Sequence, residues 1–205
     1  MPQIETLPIY LHDGVVFPGC AERLKVHEPI SIAMMRNCLS DGSCFGCIPS
    51  RPGRLDAPSV YSVGTSVEVL ALNEGGFKDI EVTVLGRNRF RVIELTSTGG
   101  HRGARTIRVE DTDLPSSKDE VSIMRRDIMQ MYERFLLKFP GRFVPMNEEL
   151  LVGATDEEFS FIVAGHVQLN RDDRIALLEV TSTRERLRRE LECMKEMPPI
   201  QGRLV

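Results

Sequence analysis

A chain of 205 residues, 41% hydrophobic and 27% charged, has ordinary globular composition and is long enough for one large domain or two small ones. Its net charge of -4 and pI near 5.7 give no global attraction to nucleic acid or anionic membrane, so such binding would need a local basic patch. No uninterrupted apolar run reaches the roughly 18 residues of a membrane-spanning helix, and Met1 to Gly19 has no basic n-region of a signal peptide. Five cysteines, an odd number without framework-like spacing, fit a reducing compartment, so the expectation is a cytoplasmic protein with no membrane partner.

The first part of the chain, to about Leu114, reads mainly as strands, interrupted by one helix. Pro29 suits a first helical position and Glu28 complements the helix dipole; Ile30, Ala33, Met34 and Cys38 are predicted to share a face, and Gly42 closes the segment. Val63, Thr65, Val67, Val69 and Ala71 alternate with Gly64, Ser66, Glu68 and Leu70, and Asn73-Glu74-Gly75-Gly76 leads into alternating Ile80, Val82 and Val84, a hairpin pattern. A third run from Arg89 to Leu95 follows Gly86, and a fourth from Arg105 to Glu110 follows Thr98-Gly99-Gly100. Short strands with Gly-rich turns suggest a barrel-like sheet.

From Pro115 the period changes from two to about 3.6. Ser117 with Glu120 forms a candidate capping box, followed by Val121, Met124, Ile128, Met131, Phe135 and Phe139 on one stripe, with Pro140-Gly141 as the stop. Thr155 with Glu158 opens a helix carrying Phe159, Ile162, Val163 and His166, and Asn170 opens one carrying Ile175 and Leu178. Ser182 with Glu185 opens the last, striped by Leu187, Leu191 and Met194. A Met-rich face such as Met124 and Met131 suits an adaptable binding surface, but a periodic stripe in a multi-helix region is better explained as core. The expected division is a β-rich subdomain over 1–114 and a helical bundle over 115–205, an α+β chain.

Three stretches stand out: Phe17-Pro18-Gly19, Gly86-Arg87-Asn88-Arg89-Phe90-Arg91-Val92, and Asp172-Asp173-Arg174-Ile175 to Leu187. In that order and spacing, together with Leu7-Pro8 and Glu28-Pro29, they resemble the N-terminal domain of Lon proteases over roughly Thr6 to Met197. The resemblance implies a β-rich pseudobarrel, similar to PUA-like folds, followed by a helical bundle. It also implies recognition of unfolded or peptide-like protein clients, with a separate ATPase or protease as a prospective partner. A complete Lon enzyme would continue into ATPase and peptidase modules, so a noncatalytic recognition domain is expected. His12, Asp13, His27 and Ile30 depart from the family pattern, and peptide specificity is expected to differ accordingly.

Candidate chemistry is sparse. Cys44-Phe45-Gly46-Cys47 has one zinc-like spacing, with Cys38, Cys20 and His27 nearby, but strand residues three apart point to opposite faces and no second such pair exists. Ordinary thiols are the favoured reading, with no metal. His12-Asp13 lacks the third group that catalysis needs, and neither a nucleophile elbow nor a phosphate-cradling loop occurs, so no catalytic residue and no cofactor is assigned. Arg87, Arg89 and Arg91, two apart on a strand, would project as one positive face for RNA or an acidic peptide, reinforced by His101, Arg102, Arg105 and Arg108; a solvated, ion-paired face is the preferred reading, and nucleic acid is not the expected partner. The arginines and glutamates of 184–192 likewise read as an exposed, paired helix surface. Phe17, Pro18, Arg142, Phe143 and Met146 sit in segments outside the regular periods. They either plug a seam or line a peptide-binding groove.

Overall fold

The computed structural model describes residues 3–50, 62–74, 79–98, 101–113, 118–139, 146, 151, 153–167 and 169–196. Among them run six strands: β1 (Ile4–His12), β2 (Ala21–Val26), β3 (Cys44–Pro49), β4 (Val63–Glu74), β5 (Ile80–Thr98) and β6 (His101–Arg108). Five helices accompany them: α1 (Pro29–Asp41), α2 (Lys118–Lys138), α3 (Asp156–His166), α4 (Arg171–Glu179) and α5 (Thr183–Glu196). The chain divides into two compact units, one of Met1–Glu110 with Arg171–Glu179, the other of Asp111–Asn170 with Val180–Val205. Helix α4 thus counts with the strands although it follows α2 and α3 in sequence.

The first unit is built on a mixed sheet in the order β2-β5-β4-β3-β1-β6, with β5 also paired to β6, so the ladder returns on itself. Only β1 and β3 are parallel; the other pairings are antiparallel. Alternation in β4 and β5 places Val67, Val69, Ile80, Val82 and Val84 in a core shared with Phe45, Met35 and Leu24. Two expectations are corrected here. The run from Arg89 to Leu95 is not a separate strand, because β5 continues from Ile80 through Gly86 to Thr98. In α1 the buried face is Ser31, Met34, Met35 and Cys38, while Ile30 is 42% exposed and Ala33 is exposed as well. Pro29 opens that helix and Gly42, at φ 71°, ends it in the left-handed conformation that suits glycine.

In the second unit Val121, Met124, Ile128 and Tyr132 of α2 pack with Phe159, Ile162 and Val163 of α3 and Leu187, Leu191 and Met194 of α5. The Thr155–Glu158 capping box forms in both directions, and Ser182 Oγ accepts from the Glu185 N–H at 3.1 Å. Ser117 and the stop residues Pro140 and Gly141 lie outside the described residues.

The surface reading of α5 holds for Arg188 and Arg189, which pair with Glu185 at 2.9 and 2.7 Å, but not for two of its neighbours. Arg186 and Glu190 are fully buried. Arg186 bonds the Asp111 carboxylate at 2.5 Å, Ser160 Oγ at 2.7 Å and the Val180 carbonyl at 2.8 Å, and its guanidinium lies 3.9 Å from the centre of the Phe161 ring. Neither carboxyl oxygen of Glu190 has a hydrogen-bond partner among the described residues. Burial pushes its pKa well above the usual carboxylate range, with nearby Arg186 opposing the shift, so the protonated form is favoured in the folded state.

The pH dependence follows from that direction. Unfolding lets Glu190 ionise at its ordinary value, so the stability it permits is complete below that value and is lost as pH rises toward its raised folded value. Glu190→Gln removes the ionisable group. Thermal melts should therefore show the variant close to wild type near pH 4 and progressively more stable than wild type toward pH 7.5. Parallel melting curves across that range would refute the assignment.

Candidate functional site

Two of the stretches singled out in the sequence, and the start of the third, belong to the first unit. Gly19 N–H donates to the Gly86 carbonyl and Gly86 N–H to the Cys20 carbonyl, both at 2.9 Å, which clamps the Phe17-Pro18-Gly19 turn on β5. Helix α4 closes over the same turn: Arg174 bonds the Val15 carbonyl at 3.0 Å and lies 5.0 Å from the centre of the Phe17 ring. Arg171 reaches the carbonyls of Asp13 and Ser50. These arginines are spent on main-chain carbonyls, whose fixed positions suit a guanidinium fork.

This arrangement places the sequence-assigned residues. Phe17 is 1% exposed and therefore a packed anchor of the turn, while Pro18 is half-buried. Met146 is buried in the core of the second unit at 6% exposure, and Arg142 and Phe143 lie outside the described residues. The three arginines do not form one stripe. A register shift sets Thr65 opposite Arg89 but Val67 opposite Gly86, so β5 carries an extra residue between them. Arg87 is exposed and ion-paired to Glu68; Arg89 is buried and donates to the Leu178 carbonyl at 3.0 Å; Arg91 is exposed, 3.4 Å from Ser62 Oγ. Arg105 pairs with Glu94 at 2.8 Å, and Arg108 lies 3.5 Å from Glu110.

The cysteine pair also separates. Cys47 is buried in the core, where desolvation pushes its thiol up to about 12, whereas Cys44 is half-buried at the start of β3. Asp13 accepts from Ser50 Oγ at 2.7 Å, and the pKa of half-buried His12 is held below the usual imidazole range, mainly by burial.

The open concavity lies elsewhere on the first unit, where β1 and β6 part beside α1. Their antiparallel ladder ends at Pro8 opposite Gly103, while β1 runs on to His12 along β3. A cavity of about 660 Å³ fills the fork, walled by Ile9, Tyr10 and Leu11 of β1, Pro29, Ile30 and Met34 of α1, and His101 and Arg102 of β6. A second cavity of about 350 Å³ shares Met34, His101 and Arg102 and continues along Leu7, Asn37 and Thr96. Volumes of this order hold small ligands or short peptide segments. Most polar groups at the fork are already engaged: His27 with Asp79 at 2.6 Å, Ser31 Oγ with Glu28 at 3.0 Å, and Asp41 with the Ser43 N–H at 2.8 Å. The side chains of His101 and exposed Arg102 make no hydrogen bond or ion pair with any described residue. No sequence signal marked this fork, because it arises from where two ladders end.

The family model of the ATP-dependent protease La (LON) substrate-binding domain matches residues 6–196. The chain is 26% identical over 191 residues to the Lon protease of Xanthomonas oryzae pv. oryzae, an alignment covering 91% of this chain and 22% of that protein. To Lon protease 2 of Thermus thermophilus it is 24% identical over 189 residues, covering 90% and 23%. The chain thus spans less than a quarter of the length of these relatives. Two solved structures share the fold: the N-terminal domain of the Mycobacterium avium complex Lon protease, at TM-score 0.73 and 14% identity, covering 94% of this chain and 100% of that one, and the Lon N-terminal domain protein from Xanthomonas campestris, at 0.63 and 20%, covering 92% and 98%.

Proposed function

The chain belongs to the family of Lon substrate-binding domains, and from that premise we propose that it is a noncatalytic module recognising extended, unfolded segments of protein clients. The observation that carries this reading is the family match across residues 6–196, on a fold whose first unit holds an open fork walled in part by apolar side chains. A PUA-like pseudobarrel followed by a helical bundle, a cytoplasmic setting and a separate ATPase or protease that consumes the client belong to the same reading. None of the five cysteines is joined in a disulfide, which suits a reducing compartment.

The client surface in this reading is the fork, since Phe17 and Met146 are committed to packing. RNA recognition rested on a three-arginine face, and with Arg89 buried and Arg87 paired no observation favours it. Ordering a flexible client offsets much of the contact energy, so affinity should be on the order of micromolar or weaker. A reduced, carboxymethylated reporter protein that cannot refold should bind the purified chain, and the same reporter in its native fold should not. Peptide and ATP should be turned over no faster than in a no-protein control. Equal binding of folded and unfolded reporter, or of neither, would defeat the proposal.

A further inference from the structure

Resting on that reading, we propose that the two adjoining cavities form one groove along α1 that selects an extended, apolar client segment with a basic residue at each end, one cation against Glu28 and the other against Asp41. The helix builds this groove by its period. Ile30, Met34, Asn37 and Asp41 follow one another at steps of four, three and four, which puts them in one row along α1, and each lines one cavity or both. Glu28, the N-cap, lines the first cavity, and Asp41, the last residue of the helix, lines the second. The 13 residues of the helix set them about 20 Å apart along its axis. An extended chain covers that distance in about six residues, and residues six apart in such a chain project on the same side. The alternate residues between them then fall against the apolar part of the row at Ile30 and Met34.

Charge selects the ends. Glu28 accepts from Ser31 Oγ at 3.0 Å and Asp41 from the Ser43 N–H at 2.8 Å, neutral donors that leave each carboxylate its charge, and neither is ion-paired to a described residue. The Ser43 hydroxyl and N–H hold the Asp41 carboxyl below the usual carboxylate range, which maintains that charge. The Asp41 end is the more negative one, because the carbonyls at a helix C-terminus add to its charge, whereas the N–H groups at the N-terminus partly offset Glu28. His27 is answered by Asp79 at 2.6 Å. Arg102 lines both cavities where they meet, so the one guanidinium of the lining opposes a cation in the middle of the groove and leaves the ends to cations.

The probe is the capped peptide Lys-Ser-Val-Ser-Val-Ser-Lys carrying a fluorophore. Its comparisons are the same peptide with glutamate for both lysines and the rearranged peptide Val-Ser-Lys-Ser-Lys-Ser-Val. At about pH 8, where an ordinary imidazole is neutral, anisotropy should show the first binding and each comparison weaker by about tenfold or more. Glu28→Gln and Asp41→Asn keep acceptors for Ser31 and Ser43 and lose only the charge. Together they should weaken the first peptide about fivefold or more and reduce its salt dependence, with Asp41→Asn the larger single effect. Glu133→Gln, which removes an equal charge from an exposed position on α2, should leave binding unchanged. Equal binding of the first peptide and either comparison, or an unaltered affinity in the double variant, would overturn the assignment. Should the unfolded reporter bind while the first peptide does not, the charge selection fails and client recognition stands; should neither bind, both fail.

Discussion

Arg186→Met is expected to lower stability by about 3–5 kcal/mol, the cost typical of removing one partner from a buried ion pair. The side chain is fully buried and joins Asp111, from the segment ahead of α2, to Ser160 of α3 and the Val180 carbonyl before α5. Methionine fills part of the volume against Phe161 but supplies none of the donors, and the Asp111 carboxylate, 8% exposed, loses its guanidinium. For a chain of this size the loss corresponds to a fall in melting temperature of roughly 6–20 °C. Adding Asp111→Asn should recover part of it by removing the stranded charge. A melt within 2 °C of wild type for the single variant would show that the network is dispensable.

Gly86→Ala should be the most damaging small substitution in the first unit. A Cβ at this position would lie 2.1 Å from the Phe17 carbonyl oxygen and 2.8 Å from its carbon, both main-chain atoms that no rotamer change can move. To admit it the turn must lift from β5, stretching the two hydrogen bonds that hold Gly19, Cys20 and Gly86 together and displacing a buried phenylalanine. Overpacking with the loss of such bonds should cost about 3 kcal/mol. Gly153→Ala is the matched control, since a Cβ there meets nothing within 4 Å. Similar melting temperatures for the two variants would mean that the turn yields easily.

Period and punctuation made much of this architecture legible. The change from alternation to helical spacing at Pro115 separates the strands from most of the helices, and the Thr155–Glu158 box marks a helix start correctly. Gly86 misled, because a glycine between two apolar runs reads equally as a turn or as a strand kept bare for a close neighbour, and only the position of Phe17 decides. Glu190 falls three residues after Leu187 and four before Met194, squarely on the apolar stripe of α5, so its burial was available from a helical wheel; its charge masked the signal. Which core α4 would join was not available at all. Ile175 and Leu178 demand burial without naming the surface that supplies it, and that choice was made by Arg171, Arg174 and the carbonyls they reach. The fork was invisible for a related reason: Pro8 shows where a donor is missing, but only the register shows that β6 turns away beside it.

The late position of α4 has a consequence for synthesis. Its residues, Arg171–Glu179, leave the ribosome only after the whole of Asp111–Asn170, yet they complete the unit that begins at the N-terminus. At a translation rate of roughly 5–20 residues per second, the strands wait roughly 3–12 s for the helix that caps Phe17 and satisfies Arg89. During that interval the nascent sheet is an unfinished fold with an apolar anchor open to water, so a module proposed to recognise unfolded segments begins its own existence as one.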